Sequence, residues 1–174
     1  MPQDKFIVVS IGNNSCFTND FIDEMINIMT LDNDIIWMLV GNNGLSAHMK
    51  NKGELLIQKN RIIDRGYENH LASLCSCCVI VLRSNQTGGA GGTAIAAQQG
   101  LPIVLTTFLC DAMRWLGDDY TNINNYHDLM QEILRLKNDD NYYKQRQMIT
   151  KKKIDYATDS NSRWEELANI LLDK

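Results

Sequence analysis

The chain is 174 residues long, 44% apolar and 22% charged, with a formal net charge of −4 at pH 7. This length and apolar content suffice for one hydrophobic core, and the acidic balance argues against a nucleic-acid backbone or an anionic membrane surface as partner. The longest apolar runs, such as CCVIVL, fall far short of the roughly 20 residues a spanning helix needs. Met1 is followed by polar PQDK rather than a signal-peptide pattern, so a single cytoplasmic domain over 1–174 is expected.

Switching periodicity orders the elements. Lys5 to Gly12, KFIVVSIG, is a β-branched apolar run closed by the turn signal GNNS, and FTNDFIDEMINIMTL then repeats Phe17, Phe21, Ile22, Met25, Ile28 and Met29 at helical spacing. Asp34 to Gly44 is a second apolar strand with Trp37 in the core, stopped by Asn-Asn-Gly, and RIIDRG reads as a short third strand. YENHLASLC forms a short helix with Leu71 and Leu74 inward, ahead of a fourth strand, CCVIVLR. A glycine segment opens a helix from Thr93 to Gln99, ended by Gly100 with Pro102 beyond, and PIVLTT is a fifth strand. A turn region follows at Trp115 to Asp119, then a short strand near Tyr120 to Ile123. YHDLMQEILRLKND is an amphipathic helix with Leu129, Ile133 and Leu136 on one stripe. Helices over Asn141 to Tyr156 and Ser162 to Leu172 complete the chain. Apolar strands alternating with helices predict an α/β class: a three-layer α/β/α Rossmann-like domain with a mostly parallel sheet of about five or six strands and C-terminal helices.

Several residue types are expected to be structural. Of the five cysteines, Cys75, Cys77 and Cys78 cluster at the start of the fourth strand without paired C-x2-C spacing, and read as reduced thiols filling core space. His48, His70 and His127 lie on separate segments with no H-x3-H and no carboxylate partner at ligand spacing, so no metal is expected. Asp118-Asp119 and Asp139-Asp140 stand where turns and helix starts favour aspartate for capping alone. Lys151 to Lys153 read as a solvated helix face, and no G-x-S-x-G elbow is present.

The segment that carries chemistry is VIVLRSNQTGGAGGTAIAAQQGLPIV, Val79 to Val104, which holds Gly88, Gly89, Gly91 and Gly92 out of eleven glycines in the chain. Bare backbone ahead of a helix exposes unpaired N–H groups at the positive end of the helix dipole, which suits an anion, and Thr87 or Thr93 adds a hydroxyl. A Walker A loop is excluded because no lysine follows the second glycine. The dinucleotide fingerprint G-x-G-x-x-G/A is met by Gly89, Gly91 and Ala94, with Asp111 at the spacing of a ribose acid, so an NAD(P)-binding domain is one alternative. Against it, the pattern follows the fourth strand rather than the first, with SNQT intervening. A second alternative is that the glycines only allow close helix packing, and a third is a non-catalytic domain that binds a nucleotide or a partner protein.

From Arg61 onward the chain resembles the C-terminal, nucleotide-sugar-binding domain of GT-B glycosyltransferases of the group 1 type. RIIDRGYENHLASLCSCCVIVLRS has that family's strand, glycine-aromatic pair, short helix and apolar strand ending in a small polar residue, and GGAGGTAIAAQQGLPIV has its glycine loop, Ala-rich helix and G-x-P-apolar-apolar close. FIVVSIGNN and IIWMLVGNNG are similar to the first two strands and their turns, so the resemblance covers about Lys5 to Gln147. It implies that the diphosphate of a UDP- or GDP-type sugar rests on Thr87, Gly88, Gly89, Gly91, Gly92 and Thr93, without a metal or other cofactor. It further implies a base held by main chain between Ile62 and Tyr67, the turn Gly12 to Asn14 (Gly12 and Asn13 above all) facing the cleft, and Arg83, nearer in sequence than Arg65, beside the phosphates in place of the family's basic pair. The sequence departs from the family where Thr87 and Ile95 replace two carboxylates, the second of which reaches the donor ribose. Hexosyl or N-acetylhexosaminyl transfer to a glycan or lipid-linked acceptor then requires an N-terminal, acceptor-binding domain in the same or another chain. This chain is expected to be inactive alone, and any peripheral membrane association belongs to that other half.

Overall fold

A computed structural model describes residues 4–41, 44–76, 80–83, 91–105, 112–117, 120, 123 and 126–159. Five strands, β1 (Phe6–Ile11), β2 (Ile35–Val40), β3 (Ile62–Asp64), β4 (Ile80–Arg83) and β5 (Ile103–Leu105), form one sheet in the order β3-β2-β1-β4-β5. Every pairing is parallel. The helices are α1 (Asn19–Leu31), α2 (Ala47–Lys52), α3 (Glu54–Gln58), α4 (Leu71–Cys75), α5 (Gly91–Gln98), α6 (Met113–Leu116), α7 (Tyr126–Asn138) and α8 (Asp140–Thr158).

Alternation along β1 and β2 divides the core into two layers, because successive side chains point to opposite faces of a strand. Val8, Trp37 and Leu39 join the apolar stripes of α1 and α7, including Phe21, Met25, Ile28, Leu129, Ile133 and Leu136. Ile7, Val9, Met38 and Val40 join Leu74, Ala96, Leu116 and Tyr120 on the other side. This is the expected three-layer sandwich. All six apolar positions read in the first helix are buried, and the Phe17, Phe21 and Trp37 rings meet at centroid distances of 5.8–6.4 Å. Complete burial of such side chains stabilises the fold by about 2 kcal/mol each. The Trp37 indole N–H donates to Ser10 Oγ at 2.9 Å, which satisfies both polar groups in a site closed to water.

Among the described residues β5 is the last strand of the sheet, and polar side chains serve its outer main chain. Tyr120 donates its hydroxyl proton to Ile103 O (2.7 Å), accepts from Ile103 N–H (3.2 Å) and meets Thr150 Oγ1 (2.9 Å). Arg146, almost fully buried on α8, donates to the same Ile103 carbonyl (2.9 Å), lies 4.6 Å over the Tyr120 ring and faces the buried Glu132 carboxylate at 3.7 Å. An unpaired strand edge would otherwise expose these main-chain groups. Apolar periodicity gives no hint of this, since the inward stripe of α8 is Arg146, Thr150 and Ile154.

Several expectations need correction. The helix expected from Thr93 already includes Gly91 and Gly92, so these two glycines are helical rather than a loop ahead of it. Cys75 ends α4 instead of opening a strand; its thiol is buried, as is that of Cys16, while Cys77, Cys78 and Cys110 lie outside the described residues. Part of the turn expected at Trp115 to Asp119 is α6, which ends before Gly117 at φ +80°. Tyr120 and Ile123, the described residues of the expected short strand there, are not in a strand, although the Ile123 N–H donates to Leu105 O at 2.8 Å. His48 does have a carboxylate partner, Asp23 on α1, at 2.7 Å. Two short helices, α2 and α3, fill a stretch with too few apolar residues to show a period. Asp139 caps α8 by accepting from the Tyr142 N–H (2.9 Å), the role read for it, while Asp118, Asp119 and the helix expected over Ser162 to Leu172 lie outside the described residues.

Candidate functional site

In the order β3-β2-β1-β4-β5 the chain leaves β1 toward one side of the sheet and returns to place β4 on the other. Open parallel sheets form a crevice at such a reversal, outside the carboxyl ends of the strands. Gly12 and Asn13 follow β1 at that edge, and α5 begins after β4.

The first turn of α5 is seated against the end of β1. A Cβ added to Gly92 would stand 2.9 Å from Ile11 Cγ2 and 3.6 Å from Leu71 Cδ2, so this glycine is required for packing between helix, strand and α4. Gly91 differs: a Cβ there meets nothing within 4 Å, and the residue is exposed. The two glycines thus divide the alternatives left by the sequence, one serving close approach to Ile11 and the other, Gly91, exposed toward solvent. Thr93 is fully buried and already engaged within the protein, so its side chain is turned away from that opening. Ile95, at the position of the missing ribose acid, is half-buried on α5. Arg83 is the last residue of β4, opposite Leu105; its side chain, together with Thr87, Gly88 and Gly89, lies outside the described residues.

On the other side of the crevice the ladder continues one residue past the strands. The Gly12 N–H donates to Val40 O (2.8 Å), and the Gly41 N–H donates to Gly66 O (2.7 Å). Gly41 at φ +84° and Gly66 at φ +62° occupy left-handed conformations that favour glycine. Gly66 is the glycine of the glycine-aromatic pair read in the sequence, whereas Gly41 was not singled out there, although it opens the turn GNNG. Asn13 is exposed, and its Oδ1 accepts from the Ser15 N–H (3.0 Å), from the Ser15 hydroxyl and from the Cys16 thiol (3.3 Å).

Beyond β3, Asp64 Oδ1 accepts from the Gly66 N–H (2.8 Å), which shapes the turn that presents Tyr67 with 84% of its surface exposed. Ile62 has its side chain in the core, so only its main chain can serve a ligand. Arg65 reaches Glu68 at 3.3 Å, and the Glu68 carboxylate also accepts from the His70 N–H (2.9 Å). The His70 N–H, then Arg65, hold the Glu68 carboxyl below its ordinary range. Among the described residues no group of three or more His, Cys, Asp or Glu is placed to hold a metal ion, and no helix is long and apolar enough to cross a membrane.

No family model matches the chain, and no curated protein matches its sequence. Solved structures do. The chain is similar to S. aureus TarM, from a structure of a mutant containing UDP, with a TM-score of 0.72 at 17% identity over 96% of this chain and 35% of that one. HepE from Anabaena, in complex with UDP and glucose, gives 0.70 at 16% identity over 98% of this chain and 49% of that one. The C-terminal domain of LpcC, a group 1 family glycosyl transferase from Francisella tularensis, gives 0.67 at 15% identity over 88% of this chain and 86% of that one. The chain therefore spans a third to a half of the two longer proteins and most of the isolated domain. Its fold is the Rossmann-like fold of the C-terminal domain of GT-B glycosyltransferases.

Proposed function

We propose that the chain is the donor-binding domain of a glycosyltransferase, holding a UDP- or GDP-type sugar at the carboxyl edge of its sheet. The observation that carries this reading is the approach of α5 to the end of β1 at the reversal of strand order, where Gly92 lies against Ile11 and the adjacent Gly91 is exposed. Two of the similar folds contain UDP.

In this reading the diphosphate rests on main chain at Gly91 and Gly92, continued by Thr87, Gly88 and Gly89, with Arg83 as counter-charge. The base lies along the turn from Ile62 to Tyr67, and Thr93 contributes position rather than a hydroxyl. When the bond from sugar to diphosphate breaks, negative charge grows on the departing oxygen. N–H groups aimed there stabilise that charge more than the bound donor, which is what accelerates the step. One such donor is worth about 3 kcal/mol in a water-excluded site. The reading needs no resident metal. It does need an acceptor-binding domain of roughly 150 residues in the same or another chain, and cytoplasmic hexosyl or N-acetylhexosaminyl transfer only with that domain present.

Calorimetric titration of the chain with UDP, GDP and NAD tests the assignment. Saturable nucleoside-diphosphate binding that weakens on Gly91→Val while Tm is unchanged supports it, because among the described residues nothing lies within 4 Å of a Cβ at Gly91. Binding of NAD instead, or of none of the three, overturns it.

A further inference from the structure

We propose that the cavity enclosed by α1, α2 and α3 binds a phosphate-bearing anion, at the edge of the sheet opposite the donor crevice. The acidic total of the chain conceals a local excess of positive charge: from Leu45 to Arg61 stand Lys50, Lys52, Lys59 and Arg61 against one acid, Glu54. Lys52, Lys59 and Arg61 line one cavity of about 400 Å³, together with Asn33 and Asn51. Asn33 precedes β2 and Arg61 precedes β3, so the cavity lies at the amino ends of the strands, away from the turns that follow β1 and β2.

That charge is not neutralised internally. Asp32 and Asp34, the carboxylates of the neighbouring turn, are paired with Lys137 and Lys5. Glu54, the one acid on the cavity wall, accepts from the Gln58 amide at 3.1 Å. Among the described residues Lys52 and Lys59 meet no carboxylate at ion-pair distance. Arg61 is fixed, its guanidinium donating to Met29 O and Asp32 O (both 2.6 Å), and to Ile35 O and Asn33 Oδ1 (both 3.0 Å). A fixed guanidinium and two unpaired ammonium groups around one concavity focus positive potential on whatever enters it. They offer donors only, which phosphate oxygens match as acceptors. Leu55, 69% exposed, lines the same cavity. An exposed aliphatic chain beside lysines suits the headgroup boundary of an anionic phospholipid better than a free phosphate.

Chemical-shift titration with inorganic phosphate, and co-sedimentation with vesicles of phosphatidylcholine with or without phosphatidylglycerol, test the proposal. Phosphate should shift the amides of Asn51 to Arg61, and only vesicles containing phosphatidylglycerol should sediment the chain at low ionic strength. Lys52→Gln combined with Lys59→Gln should weaken both by about tenfold or more at unchanged Tm, since both side chains are exposed. Lys144→Gln combined with Lys152→Gln, an equal change of net charge on α8, should leave both as they are, and Leu55→Ser should weaken the vesicle arm alone. Phosphate shifts at the cavity without vesicle binding support the site and assign it a small phosphorylated molecule; vesicle binding lost with Lys52 and Lys59 assigns it the lipid. Absence of both, or equal losses in the two double variants, overturns the proposal. Neither arm depends on UDP or GDP binding, so the donor-binding reading stands or falls separately.

Discussion

Gly91 and Gly92 are adjacent in sequence and in the same helical turn, yet replacing each by alanine should have opposite consequences. Within a helix, alanine in place of glycine gains up to about 1 kcal/mol from reduced chain entropy, less in a first turn. Among the described residues nothing within 4 Å opposes the new methyl at Gly91, so Gly91→Ala should be as stable as the natural chain or slightly more so. At Gly92 the methyl would arrive 2.9 Å from Ile11 Cγ2, on a β-branched residue paired in β1, and 3.6 Å from Leu71 Cδ2. Isoleucine cannot swing that methyl away without leaving its rotamer, and overpacking of this kind costs about 1–3 kcal/mol. Net of the entropy gain, Gly92→Ala should lose about 1–2 kcal/mol, and at roughly 2–4 °C per kcal/mol for a chain of this size the two variants should separate by several degrees in a thermal melt. Urea unfolding should show the same order at unchanged slope. UDP titration should show the complement: Gly91→Ala binds more weakly although it folds at least as well. If Gly92→Ala melts with or above Gly91→Ala, the close approach of α5 to β1 is not what places glycine there, and the division of labour between the two residues is wrong.

Acid should weaken the corner where α1 meets β2. Burial opposes ionisation of Asp32, but the Lys137 ammonium and the Asp34 N–H outweigh it and hold its carboxyl below the usual 3.8. A depressed folded-state pKa adds stability that is complete above the unfolded value and is lost as pH falls through the folded one. Unfolding free energy should therefore drop below about pH 4, less steeply in Asp32→Asn, as pH-dependent denaturation will show. The Cys75 thiol, pushed up to about 11 by burial, should resist alkylation at pH 8 in the native chain and react on unfolding, read site by site by mass spectrometry. Tyr120→Phe removes the hydroxyl that serves both polar groups of Ile103 and Thr150, and should cost about 1–3 kcal/mol in urea denaturation.

What the sequence determined by itself was the order and type of the major elements, because strands apolar on both faces and helices with one apolar stripe leave different periods. Phe17, Phe21, Ile22, Met25, Ile28 and Met29, and Leu129, Ile133 and Leu136, are buried as that logic requires. The glycine segment was legible as a place of bare backbone, and GNNS and Asn-Asn-Gly as turns, whereas RIIDRG, read as a strand, turns after Asp64. Whether a glycine serves a ligand or a neighbour is a question of distance, which composition cannot express: Gly91 and Gly92 separate only once Ile11 is brought against one of them. The same holds for Thr93, a hydroxyl offered by sequence and withdrawn by burial, and for Asn13, whose amide direction follows from the Ser15 N–H. Nothing in the sequence singles out Arg146; it is the Ile103 carbonyl on β5, at the end of the described sheet, that gives its guanidinium a buried acceptor. Periodicity records which face of an element avoids water. Only tertiary structure decides which polar groups, from segments distant in the chain, are left to satisfy one another.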